Sequence, residues 1–517
     1  MDTGRKWTWT SAVAALHVIA VLAGLPIVYK NFYYDILEIK YYYYCGCALV
    51  LLAGILGYLL LTVRPKKELE KLKGKKLLEI FTVTDLAMIA LGIVITISTI
   101  LSPFRFEAFW GNEGRYSGLF LMGLYILMYF CITRYFHMKS WYVDLCLAAG
   151  MAVCLFGLTH WFKMDLLGFK VNIKDSQRYM FVSFIGNINT YTALVAVYMG
   201  IAATMLVGTK SRLRSVWYYA ALWITYLALV TGQSDNAYLA LMALFGFLPL
   251  YAFRTRRGVR RYVVLLATFL SSLKVIEWIL TTYPDKVVGF NSIYNKIVGF
   301  EKLKLVIGLL WAAAAVLYVI DYVSKKQDAE APKWLRRGWL GVIIIVVCGA
   351  LYILYDVNIA GNGEKYGAAR SYLEFNDAWG THRGYIWRIA MEDYRKFPLL
   401  QKIFGYGPDT FGLMTYTNNL KDMTERYAEL FDSAHNEYLQ YFITIGPLGL
   451  LAYLVAFAGA FAETVKKGTP YPWVVAMMIG VLCYLAQALV NINQPIATPI
   501  MWTLLCMGVA GCKQVKQ

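Results

Sequence analysis

The sequence predicts an all-α polytopic membrane protein with about 12–14 transmembrane helices and a long extracytoplasmic loop containing short helices. Of its 517 residues, 59% are hydrophobic and only 16% are charged, which is too apolar for an ordinary soluble fold. Apolar runs of roughly 17–25 residues recur from end to end, and runs of that length can cross a bilayer as helices. Helices are favoured because an unpaired backbone amide in hydrocarbon costs several kcal/mol.

The apolar runs define about fourteen spans along the chain. They lie near 8–28, 41–63, 83–102, 117–133, 141–162, 186–207, 217–231, 238–253, 262–281, 305–323, 339–356, 441–463, 471–490 and 496–512. The chain therefore divides into three predicted parts. Residues 1–356 hold the N-terminal transmembrane helices, 357–441 the polar extracytoplasmic loop that would carry the chemistry, and 442–517 the C-terminal transmembrane helices.

The net charge of +18 is distributed in a way that indicates a lipid bilayer and not nucleic acid as the partner. With the N-terminus inside, the basic loops at 64–76, 254–261 and 325–337 fall on the cytoplasmic side, as the positive-inside rule requires. An even number of spans then places both termini in the cytoplasm and 357–441 outside. The first span has no convincing cleavage site and is expected to be retained in the cell membrane.

No metal or cofactor is predicted. The nine cysteines lie in or beside apolar runs without metal-ligand spacing, so we interpret them as packing residues and expect no disulfides. The outside carboxylates form no paired-Asp motif, and no His-x-x-x-His set occurs. Phosphate-binding and dinucleotide-binding glycine motifs are also missing from the sequence.

His435 is the first candidate catalytic residue. It precedes Asn436 at the point where the polar loop runs into a span. Asp432 or Ser433 is a plausible N-cap, which would place His435 in the first helical turn. The positive end of the helix dipole would keep its imidazole neutral and available as a base. The alternative is a histidine that makes an interfacial hydrogen bond.

Arg383 and Trp387 are spaced i, i+4 on one face of an amphipathic stretch that Pro398 should end. A guanidinium suits phosphate oxygens, and an aromatic ring beside it can stack on a sugar or hold the arginine. Arg388 lies elsewhere on the same stretch and is a further candidate. The alternative is a surface helix that rests on lipid head groups. The Gly-rich segment 405–408 is predicted to be a tight turn.

Three smaller outside segments could complete a site. Arg115 lies at the mouth of the bundle in 109–118, where it could also serve as an interface anchor. Asn187 and Asn189 open the sixth span and could bond a glycan or cap the helix. The segment 231–236 has the composition of a turn.

Taken in order, these segments resemble the O-antigen ligase and O-antigen polymerase family of integral membrane glycosyltransferases. The pieces that carry the resemblance are Arg115-Tyr116-Ser117-Gly118, Gly186-Asn187-Ile188-Asn189, Thr231-Gly232, Arg383 with Trp387 before Pro398, Gly405-Tyr406-Gly407-Pro408, His435-Asn436-Glu437-Tyr438-Leu439, Gly446-Pro447-Leu448-Gly449 and Asn493-Gln494-Pro495-Ile496-Ala497-Thr498-Pro499. Each piece is short. Their order, with the His–Asn piece after a long outside loop, makes the set specific.

The resemblance implies an undecaprenyl-diphosphate-linked glycan as donor and metal-independent transfer, on the outer face, to a hydroxyl of a polysaccharide, lipid or protein acceptor. It maps the family histidine to His435 and the loop arginine to Arg383. The sequence departs from many ligases at 234–236, where Ser-Asp-Asn replaces a Ser-Arg-Gly-like piece. Either Arg115 or another loop arginine then supplies the second phosphate contact, or the acceptor differs.

Several alternatives remain open at this point. Within the family, the chain could be a polymerase, a ligase or a protein O-oligosaccharyltransferase. The rival from another class is a transporter or flippase for lipid-linked sugars, since about fourteen spans also suit that class. Transporters keep ionisable residues near mid-bilayer. Here Lys274 and Glu277 lie inside one span and could pair with each other.

Overall fold

The computed structural model describes residues 7–62, 77–290, 293–324 and 328–514, with the backbone alone at 77 and 78. The predicted basic loop at 64–76 and residues 325–327 lie outside the described residues. A helix covers every predicted span. The helices are Trp9–Ile19 with a π-helical extension Ala20–Gly24, Ile36–Thr62, Val83–Leu101, Leu119–Tyr135, Trp141–Trp161, Ile188–Gly208, Arg212–Thr231, Ala237–Ala252, Arg256–Thr282, Leu303–Ser324, Lys333–Asn358, Gly446–Glu463 with a π-helical extension Thr464–Gly468, Pro472–Gln487 with a 3₁₀ turn Ala488–Val490, and Thr498–Gln514.

Ten of these helices are long and apolar enough to cross a membrane by length and composition. The other four, which include Trp9–Gly24 and Leu119–Tyr135, are apolar but shorter. The only strands among the described residues are the two-residue pair Phe181–Val182 and Gly186–Asn187, which run antiparallel with Phe181 opposite Asn187. The chain is therefore an all-α polytopic membrane protein, as its composition predicts.

Two helices form the centre of the bundle. In Ile188–Gly208, 94% of the apolar stretch is buried, and this helix packs along Pro472–Gln487. The two backbones approach closely because Gly200 faces Gly480, and a Cβ on Gly200 would lie 3.0 Å from the Gly480 Cα. Small residues allow helices to approach in this way where lipid supplies no hydrophobic drive for association. Leu303–Ser324 and Lys333–Asn358 are peripheral, with 11% of each apolar stretch buried.

One end of the bundle, here called the charged end, gathers ion pairs. The Asp85 carboxylate contacts Arg134 at 2.9 Å and Lys513 at 3.3 Å, and it accepts a hydrogen bond from Tyr129 at 2.7 Å. Three helices that are distant in sequence are thereby joined. At the same end, Arg257 pairs with Asp328 at 2.8 Å. This is the end that the charge distribution predicts to be cytoplasmic.

The predicted extracytoplasmic loop folds into short helices at the opposite end, here called the polar end. They are the 3₁₀ turn Gly363–Ala369, Arg370–Leu373, Trp379–Lys396, Leu399–Phe404, Phe411–Tyr427 and Glu437–Thr444. Further short helices outside this segment are Leu77–Ile80, Arg105–Trp110, Asp175–Met180, Pro284–Lys286 and Ile293–Val298. Helix Trp379–Lys396 stops just before Pro398, as the sequence predicts.

The turn 405–408 joins the polar segment to the bundle. The backbone N–H groups of Tyr406 and Gly407 donate to the carbonyls of Ile443 (3.0 Å) and Thr444 (2.8 Å). Gly405 has a φ of 85°, and a Cβ there would overlap the Thr444 carbonyl. The glycine is needed both for the left-handed backbone and for this close approach. The turn is a structural joint, in agreement with its interpretation as a tight turn.

Candidate functional site

The loop 111–118 connects the N-terminal helices to the polar segment. The buried Asp409 carboxylate accepts hydrogen bonds from the backbone N–H groups of Asn112 (2.8 Å) and Ser117 (3.0 Å). Burial raises the pKa of Asp409 to about 7, although these two donors and the charge of Arg115 oppose the rise. Arg115 forms an ion pair with Asp432 at 2.5 Å. Arg115 is therefore held against the stretch of chain that leads to His435.

His435 lies immediately before a helix and not within it. Asn436 caps helix Glu437–Thr444, and its Oδ1 accepts hydrogen bonds from the N–H groups of Tyr438 and Leu439, both at 3.0 Å. The prediction of a cap at Asp432 or Ser433, with His435 in the first turn, is therefore wrong. His435 has a left-handed backbone with a φ of 45°, which a right-handed helix cannot contain. The next residue with a capping side chain takes the role.

The backbone beside His435 is held on both sides. The Trp387 indole Nε1 donates to the carbonyl of Ala434 at 2.8 Å, and the N–H of Ala434 donates to Gln440 Oε1 at 2.9 Å. Trp387 also packs against Trp379, with ring centroids 5.0 Å apart. Trp387 therefore links helix Trp379–Lys396 to the residue before the histidine.

The electrostatic surroundings of His435 are positive. Burial, together with the nearby charges of Arg115 and Arg383, lowers the pKa of its imidazole to about 4, and the charge of Asp432 opposes this shift. The ring is thus neutral near pH 7, as the sequence predicts. The cause differs from the predicted one, because burial and two nearby guanidiniums disfavour the charged ring, and not a helix dipole. His435, Arg115 and Arg383 are therefore brought together.

Arg383 begins the regular part of its helix. The three preceding residues, Gly380, Thr381 and His382, all have positive φ values between 59° and 65°, so the helix axis is interrupted just before the arginine. Partial burial lowers the pKa of the Arg383 guanidinium. Among the residues that the structure describes, this guanidinium has no hydrogen-bond or ion-pair partner.

The Arg383 side chain lines a cavity of about 520 Å³ at the polar end. Asn189 and Ser234 line the same cavity, as does Tyr372 of the polar segment. The cavity thus lies between the folded loop and the ends of the central helices. Its size suits part of a glycan and a diphosphate better than a single ion.

Asn187 and Asn189 have different roles. Asn187 caps helix Ile188–Gly208 through a hydrogen bond from the Asn189 N–H at 2.8 Å, so of its two predicted roles the structural one is observed. The Asn189 Oδ1 accepts hydrogen bonds from Ser234 Oγ at 2.7 Å and Asn236 Nδ2 at 3.3 Å. The Ser-Asp-Asn piece that replaces the family arginine thus orients Asn189 in the cavity.

Arg388, unlike Arg115 and Arg383, is engaged by neighbouring carboxylates. Its guanidinium pairs with Asp377 through Nη2 at 2.8 Å and Nε at 2.9 Å, and with Glu392 at 3.0 Å. These pairs raise the pKa of Arg388. Because its hydrogen-bonding capacity is directed at two carboxylates, Arg388 stabilises the polar segment in this structure.

The fold and site define a polytopic helical membrane protein whose polar segment closes over one end of the bundle beside a neutral histidine. Residues 305–454 match the family model described as O-Antigen ligase. This match, over less than a third of the chain, supports the O-antigen ligase and polymerase family and, in general terms, an O-antigen ligase-like membrane glycosyltransferase. No curated protein matches the chain. The family match contains Arg383, Trp387, His435 and Asn436, whereas Arg115, Asn187 and Asn189 precede it.

Sequence reasoning missed several residues of the site. Asp409 and Gln440 position neighbouring backbone, and Gln494 accepts a hydrogen bond from Thr190 at 2.7 Å. Glu437 is buried beside His435 and accepts hydrogen bonds from Tyr453 (2.8 Å) and Tyr484 (3.2 Å). The available signal was that each lies within or next to a motif piece. Within the described part of the chain, no group of three His, Cys, Asp or Glu side chains is placed to hold a metal ion.

Proposed function

We propose that the protein transfers a glycan from an undecaprenyl-diphosphate-linked donor to an acceptor hydroxyl at the outer face of the cytoplasmic membrane. The observation that carries the proposal is the placement of neutral His435 near two guanidiniums, one of which lines a cavity without a protein partner. An unpaired guanidinium in a partly buried site is suited to a diphosphate, because phosphate oxygens match its fork of donors.

The reaction needs no exchange of electrons with a cofactor. The acceptor oxygen attacks the anomeric carbon, and the bond from that carbon to the diphosphate oxygen breaks. His435 takes the acceptor proton, and the diphosphate leaves with the electron pair of the broken bond. Attack in line with the leaving group inverts the anomeric centre. General-base help of this kind is typically worth about 10²–10⁴-fold.

The arginines would stabilise the charge that develops on the leaving diphosphate. Arg383 is the principal contact in this proposal. Arg115 is the second, because it lies near His435 and its Nε is buried with no hydrogen-bond partner among the described residues. Asn189 would bond the glycan within the cavity. Asn436 and Trp387 would hold the histidine loop, and Arg388 would support the polar segment from outside.

The acceptor distinguishes three forms of this transfer. A polymerase adds repeat units to a lipid-linked chain, a ligase moves the finished chain to a lipid core, and a protein O-oligosaccharyltransferase moves it to a protein. The polar groups at 234–236, in place of an arginine, favour a polymerase or a ligase of another surface polysaccharide. The proposed orientation keeps both termini in the cytoplasm.

A transporter of lipid-linked sugars is the competing proposal, and one observation weakens it. Lys274 and Glu277, the ionisable pair within helix Arg256–Thr282, contact each other at 2.7 Å. The pair is thus neutralised internally, whereas a transport pathway exposes its charged groups to a cargo.

The test is transfer in proteoliposomes with donor and acceptor supplied on one face. The native protein should lengthen or glycosylate the acceptor, and His435→Ala should lose about 10²–10⁴-fold of that rate. Lys421→Ala is the matched control, because Lys421 is an exposed cation of the same segment with only a 3.7 Å ion pair to Glu425. Native transfer rates in the His435 variant would contradict the mechanism. Movement of donor across the bilayer without a transferred product would favour the transporter.

A further inference from the structure

A second cavity, of about 530 Å³, lies at the polar end and shares no lining residue with the cavity of Arg383. Its walls come from the last turn of helix Trp141–Trp161, the loop that follows, and Val288. This loop leads to Asn187 and the start of the central helix, so the second cavity faces the same side of the membrane as the proposed reaction site.

Basic side chains dominate the charge of this cavity. Lys163, Lys170 and Arg178 line it together with the carboxylates of Asp165 and Asp175. The Asp165 carboxylate is occupied by the backbone N–H groups of Phe169 (2.8 Å) and Lys170 (2.7 Å). Lys163 donates to the uncharged carbonyl of Asp285 at 2.9 Å. Arg178 pairs with Asp175 at 3.2 Å, where both side chains are exposed. The three cations therefore exceed the two carboxylates by one.

Two of the polar groups that line the cavity make few contacts with the protein. The Lys170 ammonium forms no hydrogen bond or ion pair within the described part of the chain. His160 is buried, and its Nδ1 accepts a hydrogen bond from the Ser183 N–H at 3.0 Å. A neutral ring then carries its proton on Nε2. This Nε2 lies 3.7 Å from Asp165 Oδ1, which is too far for a hydrogen bond, and it has no hydrogen-bond partner among the described residues. Both groups can therefore donate a hydrogen bond to an anion in the cavity.

Exposed apolar side chains border the same loop. Leu166 is 66% exposed and Val171 is 68% exposed, and Met164 and Leu167 are also exposed. Apolar side chains beside a basic cavity, at the end of a transmembrane helix, fit the boundary between acyl chains and head groups. A soluble anion would use the cations and leave these side chains in water.

We propose that this cavity binds the phosphate group of a membrane lipid, with the acyl or prenyl chain lying against Leu166, Leu167 and Val171. Lys163, Lys170 and Arg178 pair with the phosphate, and His160 Nε2 donates a hydrogen bond to it. This lipid site is independent of the proposed transfer reaction, because it lies apart from His435 and Arg383 and binds the lipid without a covalent step.

The experiment is native mass spectrometry of the full-length protein in detergent, with either phosphatidylglycerol or undecaprenyl phosphate added. The native protein should retain the lipid phosphate. The triple variant Lys163→Gln/Lys170→Gln/Arg178→Gln should bind about a hundredfold more weakly, since each Lys or Arg near an anionic lipid contributes roughly fivefold. Lys174→Gln, an exposed cation of the same loop that does not line the cavity, is the matched control and should bind as the native protein does.

Retention of either lipid, lost in the triple variant and kept in Lys174→Gln, supports the proposal and identifies which lipid is preferred. Equal retention by native protein and triple variant overturns it. Inorganic phosphate that competes equally well with both lipids, or binds as tightly alone, also overturns it, because the chain contacts would then contribute nothing. If the triple variant does not fold, the pair Lys163→Gln/Arg178→Gln, both on exposed side chains, replaces it with an expected loss of about thirtyfold.

Discussion

Both ends of the bundle hold ion pairs, but among the described residues the polar end also places an unpartnered guanidinium beside a histidine. At the charged end, the Asp85 carboxylate pairs with both Arg134 and Lys513, and further arginines pair with Asp328 and Asp321. At the polar end, Arg383 lines a cavity with no partner among the described residues, and His435 is kept neutral beside it. Paired charges join helices, whereas unpaired charges are available to a ligand. The difference separates the groups that maintain the fold from those that could act on a substrate.

After His435 itself, the largest expected effect is at Arg383. Arg383→Ala removes the unpaired guanidinium, and the transfer rate should fall about 10²–10³-fold, as for the loss of other groups that stabilise a developing charge. Arg383→Lys should recover part of that loss because it keeps the charge without the fork of donors. The measurement is single-face transfer in proteoliposomes. The control is Arg395→Ala, because Arg395 is an exposed residue of the same helix. An unchanged transfer rate in Arg383→Ala would show that the reaction does not use the unpaired guanidinium.

The next largest effect is expected at the charged end, where Asp85→Asn should lower the free energy of unfolding without changing the transfer rate. Asp85→Asn keeps the shape of the side chain but leaves Arg134 and Lys513 without an anion. We expect a loss of about 2–3 kcal/mol, because removing one partner of a largely buried charge network exposes the others to an unfavourable environment. Thermal unfolding in detergent should shift downward by several degrees. The transfer rate per folded molecule should stay at the native value. If Asp85→Asn lowered that rate without lowering the unfolding temperature, the distinction between the two ends would be wrong.

A smaller effect is expected at Trp387. Trp387→Phe keeps the aromatic packing against Trp379 but removes the hydrogen bond to Ala434, which is worth about 1 kcal/mol. The histidine loop should be less well positioned, and kcat should fall about five- to tenfold with little change in KM. A purely structural role would lower the folded fraction and leave kcat per folded molecule intact.

The sequence predicts the fold well because the length of an apolar run determines whether it can span a bilayer, and fourteen such runs correspond to fourteen helices. The Gly-rich turn at 405–408 and the helix end before Pro398 follow from backbone chemistry in the same way. The neutral state of His435 is also predictable, although for a different reason from the one found. Three possible capping residues precede helix Glu437–Thr444, and local sequence alone does not select Asn436 among Asp432, Ser433 and Asn436.

The features of the site that could not be predicted from the sequence depend on contacts between segments that lie far apart along the chain. Arg115 and Asp432 are 317 residues apart, and Asn112 reaches Asp409 across 297 residues. No helical period or local motif encodes such pairs. Arg388 was a reasonable phosphate candidate by residue type, but Asp377 and Glu392 engage it once the polar segment folds. The left-handed run before Arg383 likewise has no clear signature in the sequence beyond Gly380.

The pH dependence of kcat/KM is the most direct test of the positive surroundings of His435 and of its role as the base. His435 must be neutral to act as a base, so activity should be retained as pH falls through 6.5 and should be lost only near its pKa of about 4. Arg115→Met removes a positive charge, which raises that pKa and moves the acid limb upward. Asp432→Asn removes a negative charge and should move it downward. An acid limb near 6.5 in the native protein, unmoved by either substitution, would contradict the proposal that His435 works beside two guanidiniums.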